Sequence, residues 1–403
     1  MFARAFVAVF AIVFAGLLAS AAFAPAPARA ETYALPPYTA AYEPRTVDER
    51  GLWMAADEGE KAIAASAMRV RDEALVGYVR RVLCKTVGAD RCNGVRIYIL
   101  DIPAFNATMS ANGAMTVWTG LLLRARSEAE LGAVLGHEFA HFELRHSLRG
   151  FQSQRSKTDV LAWVQVLGGI AQRDTGYLQT SLIGSIYRFN RDQEKEADLL
   201  GLQYLANSGY PGRAASEVWQ HLMEEADATA SGRKITKRHL YAAGFFSTHP
   251  TDLDRADYLL RESLKYPNAN QDPGRGHYGA VGALFPHLLA SQAKLNDFSG
   301  TEYILGGIAG TTGWTGPLLH ARAELFAMRG NPRDLITATT LYLNAIDAGH
   351  DRPETLRGLG LSLVKSGNRT EGGKYLSAYL KAAPSAADAS LIRMYVPASN
   401  GEK

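Results

Sequence analysis

Five consecutive residues, His137-Glu138-Phe139-Ala140-His141, constrain the fold of this 403-residue chain more than any other part of its sequence. Histidines at positions i and i+4 lie one turn apart on the same face of an α-helix, so both imidazoles can reach one zinc ion. Glu138 stands beside the first histidine and is placed to take a proton from a water molecule at the metal. Ser127 and Glu130 form a capping-box pattern that predicts where this helix begins.

The spacing of the next histidines limits the choice of a third ligand. Ser147 stands where a third histidine would be needed, six residues after His141. On a continuous helix, His146 would lie about 140° round the axis from His141, so it is not expected to join the same metal. A carboxylate is therefore the alternative, and the chain has no glutamate between Glu143 and Glu194.

An acidic cluster near residue 195 supplies that carboxylate. Glu194 and Asp198 are four residues apart and share one helix face, with Asn190 as a candidate N-cap. One carboxylate can bind zinc while the other accepts a hydrogen bond from a ligating histidine. Glu196 lies about 160° away on the same helix and is expected to face solvent.

These motifs resemble those of one family. A His-Glu-x-x-His sequence followed about fifty residues later by Glu-x-x-x-Asp is similar to the CAAX-prenyl-protease-like zinc metallopeptidases. The exported, BepA-type branch with a C-terminal tetratricopeptide (TPR) domain looks most similar, over roughly residues 50–395. The segment 105–120, Arg145-His146, and Thr248-His249-Pro250 with Arg255 share in the resemblance.

The resemblance implies one Zn²⁺ per chain and roles for the motif residues. The implied metal ligands are His137, His141 and Glu194. Glu138 would be the catalytic base, and Asp198 would accept a hydrogen bond from a ligating histidine. The resemblance also places His249 near the metal, and we expect this histidine to occupy the open zinc position at rest until substrate displaces it. A surface-loop histidine is the alternative.

Short apolar runs before the zinc helix predict a small β-sheet. The segments 95–100, 105–109 and 114–118 are strand-like, and Asn112-Gly113 predicts a hairpin turn between the last two. An exposed strand edge beside the zinc helix can pair with an extended peptide. The predicted substrate-binding edge is formed by Asn106, Ala107 and Thr108. An ordinary interior strand is the alternative.

The first thirty residues predict export. Arg4 precedes the apolar run 5–24, and the stretch ends in Ala28-Arg29-Ala30, which is typical of a secretory signal peptide cleaved after Ala30. An uncleaved membrane anchor is the alternative. A periplasmic location favours a disulfide between Cys84 and Cys92, the only two cysteines of the chain.

Helical patterns cover 51–83 and nearly everything after Gly120, so we predict an α+β fold that is mostly α. A signal peptide would span 1–30, a zincin-like metallopeptidase domain 31–270, and an α-helical TPR-like repeat domain 271–403. The repeat is predicted from Leu359-Gly360 and the apolar residues that follow it up to Pro384, with a plain helical hairpin as the alternative.

Composition narrows the function classes. Lys+Arg number 43 and Asp+Glu 40, a near balance that gives no basic footprint for nucleic acid. The resemblance implies a periplasmic zinc endopeptidase that cleaves misfolded or assembly-stalled envelope proteins, without a stable membrane span after signal cleavage. The concave TPR-like face is predicted to bind a protein client or an envelope assembly partner. A chaperone-like scaffold with a largely capped zinc site is the alternative.

Overall fold

The computed structural model describes residues 35, 44–155, 189, 191–235, 252–266, 274 and 276–396. The predicted signal peptide, the candidate N-cap Asn190 and His249 lie outside the described residues, so their predicted roles stay predictions.

The first described helices flank a short strand. Helix α1 spans Val47–Ala65 and begins with a capping box formed by Thr46 and Glu49. Strand β1 spans Arg69–Val70 and pairs with the next strand of the sheet, and helix α2 spans Glu73–Val87. The continuous helical pattern predicted over 51–83 is therefore wrong at β1. This strand pairs with the sheet over only two residues, which is too short a segment to show periodicity in the sequence.

The sheet has four strands in the order β1-β2-β4-β3 among the described residues. Strands β2 (Arg96–Leu100), β3 (Ala107–Met109) and β4 (Ala114–Trp118) match the three predicted segments. Strand β4 is buried along its whole length, pairs in parallel with β2, and forms the predicted antiparallel hairpin with β3. The turn places Gly113 at a φ of 90°, a conformation that favours glycine. Strand β3 thus lies at one edge of the sheet.

The predicted disulfide is confirmed. Helix α3 spans Ala89–Cys92 directly after α2, and Cys84 and Cys92 are bonded across a Cα–Cα distance of 5.1 Å. The bond closes a short loop in the connection from α2 to β2, and such a cross-link restricts the unfolded chain.

Helix α4 (Thr119–Arg124) leads into α5 (Glu128–Glu143), the helix that carries both motif histidines. The Ser127 hydroxyl accepts a hydrogen bond from the Glu130 N–H, as predicted. The Glu130 carboxylate, however, accepts from the N–H of Arg126 instead of that of Ser127, so the reciprocal half of the box is shifted by one residue.

Helix α5 is surrounded by other elements of the domain. Helix α6 (His146–Arg155) follows it after a sharp turn, and α7 (Arg191–Asn207) lies along it. Helices α8 (Ala214–Gly232) and α9 (Asp252–Ser263) pack on each other and against α5 and α7, respectively. The two motif helices α5 and α7 therefore form the centre of a helical layer beside the sheet.

The remaining described residues are helical. They form α10 (His277–Val281), a 3₁₀ turn (Gly282–Leu284), α11 (Phe285–Ala293), α12 (Phe298–Thr312), α13 (Gly316–Arg329), α14 (Pro332–Asp347), α15 (Pro353–Lys365), α16 (Arg369–Ala382) and α17 (Ala389–Arg393). Helices α10 to α12 share the hydrophobic core of α2, β4 and α5.

The last helices pack as pairs. Helix α13 packs on α14, α15 packs on α16, and α14 connects the pairs. Helices α15 and α16 come close at two glycines, because a Cβ added at Gly360 would lie 3.0 Å from the carbonyl oxygen of Gly372. The pairing is compatible with a helical repeat, but the TPR assignment and the domain boundary at residue 270 stay predictions.

The fold is thus mostly helical with a small mixed sheet. Within the described part of the chain, no helix combines the length and the apolarity that crossing a membrane requires.

Candidate metal centre

Three buried side chains converge between helices α5 and α7. His137, His141 and Glu194 each offer one ligand atom, and these atoms all lie within 4.8 Å of one another. The Nε2 atoms of the two histidines are 3.0 Å apart. Oε2 of Glu194 lies 3.6 Å from Nε2 of His137, and Oε1 of Glu194 lies 3.5 Å from Nε2 of His141. A tetrahedral zinc ion with bonds of about 2.0–2.1 Å requires ligand atoms about 3.3 Å apart. The donor set and its spacing therefore fit such an ion.

A close helix crossing brings the third member to the histidine pair. Gly201 of α7 lies against α5, where an added Cβ would be 3.0 Å from the backbone nitrogen of His137. Gly136 faces the same crossing, and its Cβ would be 3.6 Å from the Gly201 carbonyl oxygen. Because two glycines allow the backbones to approach, the Glu194 carboxylate reaches across to imidazoles that point out of α5. The glycines match no motif, so the crossing could not be predicted from sequence.

Behind His137 lies a buried charge network. The Nδ1 atom of His137 is 2.8 Å from Oδ1 of Asp198, and the Nε of Arg255 donates to Oδ2 of Asp198 at 2.9 Å. The hydroxyl of Tyr258 donates to the same carboxylate, and the Arg255 guanidinium stacks on Trp219 with its Cζ 3.8 Å from the ring centre. Asp198 therefore stands where a hydrogen-bond acceptor for His137 was expected.

The charge state of this network follows from its contacts. Burial alone would raise the pKa of Asp198, but Arg255 and His137 together hold that pKa well below its usual range. Asp198 is thus an ionised acceptor that orients the His137 ring. Tyr258 and Trp219 were missed because they lie far from the histidine motif in the chain and match no ligand pattern. Arg255 had been noted only as part of the resemblance, without a role in the site.

Behind His141 lies a second network, which the sequence interpretation described incorrectly. Helix α5 ends at Glu143, and Arg145 takes a left-handed conformation with a φ of 56°, so His146 starts a new helix. The Nδ1 atoms of His146 and His141 lie 2.8 Å apart. The premise of a continuous helix is therefore wrong, although His146 is still not one of the three converging side chains.

Glu196 faces solvent, as predicted, and also contacts the network behind His141. Its side chain is half exposed, yet its Oε2 lies 3.1 Å from Nε2 of His146 and 3.0 Å from Nη2 of Arg149. The turn at Arg145 brings His146 within reach of this solvent-facing carboxylate. Phe189 completes this side of the site, since its ring stacks on His141 with centroids 4.0 Å apart and an interplanar angle of 17°.

Glu138 marks the open side of the site. It is the one residue between Ala129 and His141 that is not buried. Although part of its side chain stays exposed, desolvation raises the pKa of Glu138 to about 7, and the carboxylates of Glu194 and Asp198 act in the same direction. A dication bound next to it would lower that pKa. The proton affinity of Glu138 therefore depends on whether a metal ion occupies the site.

The predicted edge strand lies beside the same helix. Helix α5 packs against β3, whose pairing with β4 follows the antiparallel pattern, with hydrogen bonds from Trp118 N–H to Asn106 O and from Ser110 N–H to Ala114 O. Because the bonded groups alternate along such a ladder, Thr108 faces β4 while the backbone groups of Ala107 and Met109 point away from it. The outward edge of β3 therefore carries the backbone groups of Ala107 and Met109, two residues that are only 6% and 4% exposed.

Comparisons with known proteins agree with this geometry. Residues 73–263 match the model of peptidase family M48. Human mitochondrial metalloendopeptidase OMA1 is 32% identical over 221 residues, which are 48% of this chain and 40% of the human protein. The β-barrel assembly-enhancing protease of Yersinia pestis is 28% identical over 258 residues, covering 58% of this chain and 50% of the relative.

A third relative is more distant. The β-barrel assembly-enhancing protease of Escherichia coli K12 is 24% identical over 192 residues, which are 44% of this chain and 39% of that protein. The chain thus spans half or less of the length of these curated relatives. The matched family region contains β2 to β4, both motif helices and α9.

Proposed function

Because residues 73–263 form a peptidase family M48 domain, we propose that this chain is a zinc-dependent endopeptidase that hydrolyses peptide bonds in proteins of the cell envelope. The observation that carries the proposal is the convergence of His137, His141 and Glu194 beside the partly exposed Glu138. Buried histidine and carboxylate donors with one open side are typical of a catalytic zinc site.

Three residues would hold the ion, namely His137, His141 and Glu194, with one Zn²⁺ per chain. Zinc bound there would supply Lewis-acid chemistry, acidifying a water molecule and polarising the carbonyl of the bond to be cleaved. The protein's contribution is geometric, because the ligand atoms are already at separations of 3.0 to 3.6 Å. Asp198 would keep the proton of His137 on Nδ1 and leave Nε2 free for the metal.

Glu138 would act as the general base and then as the general acid. Its carboxylate would accept a proton from the attacking water and later give it to the nitrogen of the leaving amine. A carboxylate at this position can serve both transfers, since it must be ionised for the first and protonated for the second. The helix-side neighbours of Glu138 are buried, so solvent and substrate would approach from its exposed side.

The outward edge of β3 would position the substrate. An extended peptide could add to the sheet as a further strand by bonding to the outward groups of Ala107 and Met109. This placement would bring a peptide carbonyl to the open side of the site, because β3 lies against α5.

A pair of proline variants tests the edge role. Ala107→Pro removes an outward N–H and leaves the β3–β4 ladder intact, whereas Thr108→Pro removes a ladder bond. We expect Ala107→Pro to lower kcat/KM with little loss of stability, and Thr108→Pro to destabilise the protein. Unchanged cleavage of extended peptides by Ala107→Pro would contradict the edge role.

The envelope setting is supported by two further observations. The relatives from Yersinia pestis and Escherichia coli are named β-barrel assembly-enhancing proteases. The disulfide between Cys84 and Cys92 is of a kind that persists in oxidising compartments such as the periplasm. We therefore propose that the substrates are misfolded or assembly-stalled envelope proteins and that the C-terminal helices dock a client or an assembly partner.

A substrate trap tests the proposed activity. The Glu138→Gln variant keeps all three ligands and the shape of the site but lacks the base. We expect it to bind stoichiometric Zn²⁺, to retain an unfolded envelope protein, and to leave that protein uncut, while wild type cleaves it. Equal cleavage by both proteins would contradict the catalytic assignment. Binding without cleavage by either protein would favour a scaffold.

A further inference from the structure

His146 is a buried histidine that the proposed reaction does not use. Its side chain has no solvent-exposed surface, and it reaches the metal centre only because Arg145 breaks the helix with a positive φ. The break returns the chain so that His146 lies behind His141, on the side away from His137 and Glu194. A residue held this way through a strained turn requires an explanation beyond filling space.

The hydrogen-bond geometry determines which nitrogen atoms carry the protons in the chain of contacts from His141 through His146 to Glu196. The Nε2 of His141 points to the converging ligand atoms, 3.0 Å from Nε2 of His137 and 3.5 Å from Oε1 of Glu194. A neutral His141 that offers Nε2 to a metal must carry its proton on Nδ1. That proton faces Nδ1 of His146 at 2.8 Å, so His146 accepts with Nδ1 and keeps its own proton on Nε2.

The far end of the path fixes the same arrangement. The Nε2–H of His146 donates to Oε2 of Glu196 at 3.1 Å, and Arg149 holds that carboxylate oxygen at 3.0 Å. The amide of Gln193 also reaches the backbone carbonyl oxygen of His146, at 3.4 Å. Glu196 is an acceptor that needs the His146 proton on Nε2, which leaves Nδ1 as the acceptor for His141.

From this geometry we propose that His146, backed by Glu196, is a positioning residue that orients His141 and fixes its metal-binding tautomer. The proposal rests on the proposed function, since it requires that His141 be a ligand. Each ligating histidine would then have its own acceptor: Asp198 for His137, and the His146–Glu196 relay for His141. The ring of Phe189 stacked on His141 restricts rotation of the imidazole further.

Zinc affinity tests the proposal without any assay of cleavage. The full chain is stripped of metal with a chelator, and the Kd for Zn²⁺ is measured by competition with a chromophoric chelator. We expect His146→Leu, which removes the acceptor, to weaken binding about 10–100-fold, as loss of such partners commonly does. His146→Asn keeps an acceptor near the position of Nδ1 and is expected to recover most of the affinity.

His277 offers a matched control. It is equally buried, and its ring nitrogens bond to the Tyr78 hydroxyl at 2.7 Å and the Leu122 carbonyl oxygen at 2.9 Å. His277→Leu should lower the stability of the fold and leave the Kd for Zn²⁺ unchanged. An equal weakening of zinc binding by His277→Leu and His146→Leu would overturn the positioning role, because it would reduce both effects to loss of stability.

Glu196→Gln keeps the proposal testable if His146→Leu fails to fold. This half-exposed position tolerates the change, and the neutral amide is a weaker acceptor than the carboxylate. We expect weaker Zn²⁺ binding than wild type and a shift in the visible spectrum of the Co²⁺-substituted protein. If His146→Leu binds Zn²⁺ with the wild-type Kd, the inference is overturned while the proposed function stands. The same result in Glu196→Gln overturns it when His146→Leu does not fold. Absence of Zn²⁺ binding by wild type overturns the proposed function and this inference together.

Discussion

Removing the guanidinium of Arg255 should expose how much the metal centre depends on charge that is already in place before metal binds. Arg255 is 1% exposed and Asp198 4% exposed, so Arg255→Met would leave a buried carboxylate without its counter-charge. Breaking a buried ion pair in this way costs about 3–5 kcal/mol. The carboxylate would keep bonds from His137 and Tyr258, which places the expected loss near the lower end of that range.

The loss should depend on pH with a definite sign. Because the folded protein holds the pKa of Asp198 below its usual range, this group stabilises the fold above about pH 4 and loses that effect as pH falls. The variant lacks the counter-charge that depresses the pKa. The difference in unfolding free energy between wild type and Arg255→Met is therefore expected to be largest near pH 7 and to shrink below about pH 4.

A second buried pair serves as the control. Arg91 of α3 donates to Glu143, the last residue of α5, at 2.9 Å, and neither residue touches a ligand side chain in the geometry described. Denaturant unfolding of the metal-free proteins should show both Arg255→Met and Arg91→Met destabilised, with Zn²⁺ affinity reduced only in Arg255→Met. Unfolding of Arg255→Met at the wild-type denaturant midpoint, at pH 7, would show that the Arg255–Asp198 pair does not stabilise the fold.

Three other perturbations test separate parts of the structure. Gly201→Ala should lower the free energy of unfolding by about 1–3 kcal/mol and weaken Zn²⁺ binding, because the added Cβ would press on the backbone of α5. Gly306→Ala is the control and should cause no loss of stability, since open space surrounds that position. Reducing the Cys84–Cys92 bond should lower the unfolding free energy by about 2–3 kcal/mol, because the bond constrains the unfolded chain. An unchanged unfolding free energy after reduction would contradict this. Burial holds the pKa of His277 below its ordinary value, so the contribution of His277 to folding stability is present above about pH 6.5 and lost on acidification. His277→Asn should therefore lower the unfolding free energy more at pH 8 than at pH 5. A loss of unfolding free energy that does not depend on pH would contradict this.

The parts of the site that share one helix face could be predicted from the sequence. Spacing alone puts His137 and His141 on one face and Glu194 and Asp198 on another, and the structure brings those faces together. The hairpin was equally predictable, because Asn112-Gly113 has a local signature. These successes depend on interactions within a few residues, where helix and turn geometry leave little freedom.

The parts that failed depend on where the chain changes direction. The angle assigned to His146 assumed a continuous helix, and a left-handed residue at Arg145 has no reliable sequence signal. The solvent-facing position of Glu196 was predicted correctly, but its contact with His146 depends on that turn. Arg255 could not be linked to Asp198, because only the packing of α9 on α7 brings them together. Long-range pairing of this kind leaves no periodicity in the sequence.

The central claim is that His137, His141 and Glu194 bind one zinc ion on which Glu138 acts as the base. The most direct test measures bound Zn²⁺ and cleavage of an unfolded protein in the same preparations of wild type and Glu138→Gln. We expect one zinc per chain in both proteins, and cleavage by wild type alone. Cleavage by the variant at the wild-type rate, or a wild type that cleaves without bound zinc, would contradict it.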